Sequence, residues 1–175
     1  MNKNLQNKLY KKYNSIFRDR SKSIQESCMP WGISVGNGWY SLIDSICIFI
    51  RNLEENNKDI KIVADQVKEK FGSLRFYYHL EGKLKPRKLL KQKIESDLEL
   101  EDRRNVIIDR LDGAIDLAYY LSIRTCEDCG APATIQTKGY ISNICEDCSE
   151  LRKEIMKKRS DKSECQLSKE GLVKK

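Results

Sequence analysis

Four cysteines constrain this chain more than any other feature of its sequence. They stand as Cys126-x2-Cys129-x15-Cys145-x2-Cys148. Two cysteines separated by two residues can turn their sulfurs toward one point. Two such knuckles supply four thiolates in a tetrahedron about 2.3 Å from a zinc ion. The intervening APATIQTKGYISNI alternates in polarity and carries Gly139, which suits a small hairpin. The module therefore reads as a zinc ribbon. Its closed shell leaves no position for water, so one Zn²⁺ is expected in a structural role. Redox dithiols and two disulfides are the competing readings. A redox CxxC stands alone at a helix start, and a chain of 175 residues can bury a core without disulfides.

Both knuckles read Cys-Glu-Asp-Cys, with Glu127 and Asp128 in one and Glu146 and Asp147 in the other. These carboxylates, beside a centre of net negative charge, predict an acidic patch that repels phosphate. The basic residues lie elsewhere. Residues 1–27 hold 7 Lys/Arg against 2 Asp/Glu, and residues 149–175 hold 9 against 5, whereas the middle is slightly acidic. Basic ends attract nucleic acid or an acidic partner, or simply keep a chain soluble. The start carries no continuous apolar stretch, and no apolar run reaches membrane-spanning length. A cytoplasmic protein is the expectation.

The hydrophobic periodicity predicts an α+β fold: helices packed on a small antiparallel sheet, with the ribbon at the C-terminal side. Residues 3–20 read as an amphipathic helix with Leu5, Leu9, Tyr13, Ile16 and Phe17 on one face. A Gly/Pro-rich stretch follows, and a second helix spans about 41–53. Residues 60–80 read as a hairpin turning at Gly72-Ser73, although Val63, Val67 and Phe71 also fit a helix face. Residues 83–102 look like a charged insertion. Residues 103–123 read as a helix burying Ile107, Leu111, Ile115, Ala118 and Leu121 and running straight into Cys126. The expected parts are a basic N-terminal helix (1–27), an α+β core (28–123), the ribbon (124–150), and a basic helix to about 160 with a disordered tail (151–175).

Other chemistry is thinner. His79 is the sole histidine, and His79-Leu80-Glu81 has the H-x-E form of zinc deaminases. Thr125 rather than Pro precedes Cys126, and the second CxxC already completes the metal shell. Cys47 sits on an apolar stripe and reads as a buried small hydrophobe. Cys165 reads as a free tail thiol, and Cys28 has no assignment. Gly36-Asn37-Gly38-Trp39 resembles a phosphate loop but lacks its established patterns, so a tight turn anchored by Trp39 is preferred. Lys68, Lys70 and Arg75 interleave with Phe71, Phe76, Tyr77 and Tyr78, a pattern that can stack bases or merely line a solvated sheet face.

Three blocks together carry a resemblance. They are VGNGWYSLI (35–43), QVKEKFGSLRFY (66–77) and TCEDCGAP (125–132). Their order resembles an uncharacterised family of small bacterial and phage proteins with GDGW, VKEKFG-LRFY and C-terminal CxxC blocks. The resemblance covers residues 28–148 and implies origin rather than an assigned activity. Asn37 stands where the family has Asp, which argues against a catalytic carboxylate there.

The expected function is a non-enzymatic zinc-binding interaction protein, phage-encoded if the resemblance holds, with a host protein as partner. A nucleic-acid-binding regulator using the basic ends and the LRFYY face is the alternative. An enzyme joining Asn37, Glu69 and Arg75 in one pocket is the third. The candidate binding surface is Asn37, Trp39, Lys68, Lys70, Arg75 and Tyr77.

Overall fold

A computed structural model describes residues 1–86 and 96–170, with side chains on the last helix as far as Arg159. Helix α1 spans Lys3–Lys12 and is capped by the Asn2 side chain, which accepts from the Leu5 amide. It ends earlier than the periodicity predicts. Tyr13 leaves helical geometry at φ −130, but the amides of Ile16 and Phe17 both return to the Tyr13 carbonyl. That single turn keeps Leu9, Tyr13, Ile16 and Phe17 buried on one side. The burial pattern was legible, whereas the helix length was not.

After a run of short 3₁₀ turns, α2 spans Tyr40–Asn56 and buries Ile43, Ile46, Cys47, Ile50 and Leu53. Strands β1 (Ile60–Lys70) and β2 (Ser73–Gly82) form an antiparallel hairpin. Its turn is Phe71-Gly72, one residue earlier than expected, closed by the Lys70–Ser73 pair. Phe71 and Gly72 both have positive φ, at 55 and 74. Two-residue hairpin loops favour this geometry because its twist matches that of the strands.

The register slips between Ala64 and Gln66, where Asp65 is the extra residue of a bulge. A bulge exchanges the faces on its two sides. Val63 and Val67, four residues apart, would share a face on a regular strand. Instead Val67 joins the main core, while Val63 is buried outside it. The outer edge of β1 is covered: Ala64 donates to the Ile16 carbonyl, and Ser34 pairs in parallel with Lys68. Covered edges do not recruit foreign strands.

Helix α3 spans Asp97–Ile123 and opens on a complete capping box of Ser96 and Glu99. It starts earlier than the expected residue 103. The middle of the expected insertion (83–102), residues 87–95, lies outside the described residues. Ile107, Leu111 and Ala118 are buried as expected, but Leu121 is 44% exposed and Ser122 is buried in its place. Ser122 has a reason to face inward: its hydroxyl accepts from the Leu74 amide at 2.9 Å and donates to the Tyr119 carbonyl. Strands β3 (Ile135–Gln136) and β4 (Asn143–Ile144) pair antiparallel between the knuckles. Helix α4 spans Glu146–Glu170, past the residue 160 where the sequence suggests a stop. Residues 171–175 and the side chain of Cys165 lie outside the described residues. No described helix is long and apolar enough to cross a membrane. The architecture is α+β, with helices on a small antiparallel sheet and a four-cysteine ribbon.

Candidate metal centre

The ligand atoms of Cys126, Cys129, Cys145 and Cys148 all lie within 4.8 Å of one another. The sulfurs of Cys129 and Cys145 are 3.6 Å apart. A tetrahedron with 2.3 Å bonds to sulfur requires about 3.8 Å between donors. The 3.6 Å pair is close to that value and the rest lie within 4.8 Å, so the set can hold one metal ion.

The backbone prepares the sulfurs for a cation. Cys126 is fully buried. Burial opposes its thiolate, but hydrogen bonds from the backbone at Cys129, Cys145 and Asp128 outweigh it and bring its pKa down to about 7. Burial and the neighbouring thiols push Cys148 the other way. One thiolate thus forms readily, while the thiols of Cys129 and Cys148 are held protonated more firmly until a cation neutralises the group. Gly130, at φ 87, closes the first knuckle by donating to the Cys126 carbonyl. The second knuckle continues into α4, which places Glu146 and Asp147 in the first turn, where the helix dipole favours carboxylates.

The acidic patch expected beside the cysteines is only half present. Glu127 is buried, and its carboxylate accepts from the Gly36 amide at 3.0 Å and the Ser142 hydroxyl at 2.7 Å. Asp128 takes both arms of Arg152 at 2.6 Å. Burial and pairing convert these carboxylates from an exposed field into attachment points. Glu146 and Asp147 remain exposed.

The glycine-rich block is the seat of the first knuckle. Gly38 donates to the Glu127 carbonyl at 2.8 Å, and the Trp39 indole donates to the Thr125 carbonyl at 3.0 Å. A Cβ on Gly36 would stand 2.1 Å from the Glu127 carbonyl oxygen, and one on Gly38 would stand 2.1 Å from that of Cys126. Only glycine permits this approach. Backbone N–H groups in such a loop can bind an anion. Here the anion is the chain's own Glu127 carboxylate.

The hairpin tip seats the other half of the ribbon. Asn143, buried on β4, donates to the Gly72 carbonyl at 2.7 Å. Tyr140 donates to Glu69, whose other oxygen accepts from the Gly72 amide. Blocks 35–43 and 66–77 therefore meet on a common object, the metal module.

The remaining candidate residues are dispersed. Trp39 is fully buried and presents no binding surface. The side chain of Asn37 accepts from the Asn2 amide, 2.8 Å away. Lys68, Lys70, Arg75 and Tyr77 share one face of the hairpin, as their pairing requires. Their charges and rings already have partners: Lys68 lies over Tyr77, Lys70 over Phe71 and Arg75 over Tyr119. Phe76 belongs to the core, and Tyr78 donates to Asp112. Asn37, Glu69 and Arg75, which an enzyme reading would unite, are held by separate partners.

The deaminase arrangement is not formed. His79 lies six residues along β2 from the end that touches the ribbon, about 20 Å at strand rise. Its ring contacts Asp65 and Glu81. Cys47 is buried on α2 as expected, and Cys28 is exposed.

Comparison with family models, curated proteins and solved structures finds no match to this chain.

Proposed function

We propose that this chain is a non-enzymatic zinc protein whose metal module is a rigid platform for binding another protein. One observation carries the reading: both sequence blocks with a catalytic look, 35–43 and 66–77, are spent on seating a closed four-thiolate centre. Four thiolates at tetrahedral spacing favour zinc and leave the ion no open position. What the platform presents is α4. Cys148 sits in its first turns and Arg152 is clamped by Asp128, whereas Leu151, Ile155 and Met156 are exposed at 55%, 42% and 72%. Leu151 and Ile155 stand one helical turn apart, with Lys153, Lys158 and Arg159 exposed around them. Such a helix fits an apolar groove with an acidic rim. The partner of this reading is a host protein if the chain is phage-encoded, as its three blocks suggest.

The test is capture from host lysate with zinc-loaded wild type beside Leu151→Glu/Ile155→Glu. Retention of one protein by the wild type alone supports the reading. Equal retention by both, or turnover of a small molecule with no retained protein, overturns it.

A nucleic-acid reading has one observation in its favour, the common face of Lys68, Lys70, Arg75 and Tyr77. Gel shifts across a salt series decide it, because phosphate contacts impose a steep salt dependence. A flat response rejects it.

A further inference from the structure

The middle of the hairpin, at the β1 bulge, holds a second group of side chains able to ligate a metal, built without any cysteine. We propose that Asp19, Asp65 and His79 form a site for a second divalent cation, with Glu81 as the outer carboxylate that orients the histidine.

Three separated segments converge to make the group. Asp19 comes from the 3₁₀ turn after α1, Asp65 from the bulge in β1, and His79 from β2. One ligand atom from each lies within 4.8 Å of the others. Nitrogen and oxygen bonds of roughly 2.0–2.2 Å set opposed donors up to about 4.4 Å apart. An ion takes one donor from each after a local rearrangement: the Asp65–His79 pair opens from its 2.6 Å contact to about 3 Å, while the widest pair, at most 4.8 Å, draws in.

The chemistry of the donors fits. His79 Nδ1 and Asp65 Oδ1 share a hydrogen bond at 2.6 Å, and a cation bound by both replaces and releases the proton between them. His79 Nε2 faces Glu81 Oε1 at 3.3 Å, and Arg18 pairs with the other oxygen of Glu81. A metal-bound imidazole characteristically gives its second ring nitrogen to a carboxylate, which fixes the tautomer and the ring plane. Here that outer carboxylate is itself held in place.

Burial and charge add a second argument. The Asp19 side chain is only 4% exposed, a costly place for a carboxylate. Its cation is Lys22, at 2.8 Å and 43% exposed, a flexible side chain that can swing into solvent. Among the described residues, Asp65 is paired with His79 alone. Three carboxylates thus surround one imidazole, and among the described residues Arg18 and Lys22 are the lysine or arginine side chains that form ion pairs with them. A divalent ion balances this excess more completely than the lysine does. A cavity of about 440 Å³ opens beside Asp65, lined also by Gln66, Lys68, Tyr77, Ser27 and Cys28. The Asp65 and His79 side chains are 44% and 38% exposed, so water can complete a coordination shell that three protein donors leave open. Mixed nitrogen and oxygen donors suit Zn²⁺, Mn²⁺, Co²⁺ or Ni²⁺.

His79 is the only histidine, so one imidazole reports the site without assignment ambiguity. The probe is Zn²⁺ added to the full chain already loaded at its four cysteines, followed by ¹H–¹⁵N spectra of the ring. Coordination should shift Nδ1 much more than Nε2. Asp65→Asn should abolish that shift while one equivalent of cysteine-bound metal remains, which shows that the variant is folded. Glu81→Gln should weaken binding by about 10–100-fold, as loss of an outer carboxylate does. An unchanged Nδ1 in the wild type overturns the proposal. A shift that persists in Asp65→Asn also overturns it, because the ion is then held elsewhere.

Discussion

The two ends of the β1–β2 hairpin are stabilised by different physics. The body packs against α1, α2 and α3, and its buried residues come from all of them: Leu9, Phe17, Ile43, Ile50, Val67, Phe76 and Leu111 among others. Ordinary apolar burial suffices there. The tip meets the ribbon, whose own apolar cluster is Cys126, Ile144 and Cys145, with Ala131, Ile135 and Cys148 beside it. A cluster that small does not order a polypeptide by itself. On the zinc reading, the ribbon instead depends on its metal and on hydrogen bonds from the seat. The core should therefore survive damage that the ribbon does not, and each experiment below weighs one side of this contrast.

Metal removal should have the largest effect. Structural zinc supplies about 10–16 kcal/mol in small zinc modules. Chelation, or Cys126→Ser with Cys145→Ser, should unfold residues 124–150 and leave α1, α2 and the hairpin folded. Trp39 donates to Thr125 in the module, whereas Trp31 is 70% exposed. In a Trp31→Phe background, tryptophan emission should shift on chelation while far-ultraviolet circular dichroism retains most of its signal. Global unfolding on chelation would erase the distinction between the two ends.

Damage to the seat should come next. Gly38→Ala places a methyl group 2.1 Å from the Cys126 carbonyl oxygen, and neither backbone can yield freely. A loss of about 2–3 kcal/mol is expected, with metal affinity falling in parallel because the ligand loop is displaced. Denaturant melts and competition with a chromogenic chelator measure the two quantities. Gly113→Ala, which meets nothing within 4 Å, is the matched control and should be neutral or slightly stabilising.

Smaller again is Asn143→Ala, which removes the buried donor to the Gly72 carbonyl. The orphaned carbonyl costs about 1–3 kcal/mol. Hydrogen exchange should rise at the hairpin tip and β4 and stay unchanged in α2. The smallest effect belongs to Arg152→Ala. Its bidentate pair with Asp128 has excellent geometry, but both side chains are more than a third exposed. Solvent screening limits the loss to about 1 kcal/mol or less. A large loss there would mean that α4 helps hold the ribbon instead of merely extending from it.

Local patterns in the sequence reached the cysteine quartet, the stripe of α2 and the existence of the hairpin, because each is set by spacing within a few residues. They placed the hairpin turn one residue late, since a Phe at positive φ is not signalled by its type. They extended α1 too far, because a single turn at Tyr13 continues helical burial without helical backbone. They read Glu127 and Asp128 as an open acidic patch, because a carboxylate carries no mark of the backbone amide or guanidinium that will meet it. Ser122, missed as a contributor, had no sequence signal beyond its place four residues after Ala118 on the buried face.

Taken alone, the sequence determined that this protein carries two cysteine knuckles whose spacing can bring four sulfurs to one point, since that spacing is set within a few residues. Tertiary structure decided what the other blocks are for. Gly36 and Gly38 lie about ninety residues from Glu127, and Gly72 lies seventy-one from Asn143. Asp19, Asp65 and His79 meet only after a turn, a bulge and a strand are folded onto one another. Such meetings depend on long-range closure, whose entropy is recovered only when the whole core forms. No pattern of neighbouring residues encodes them.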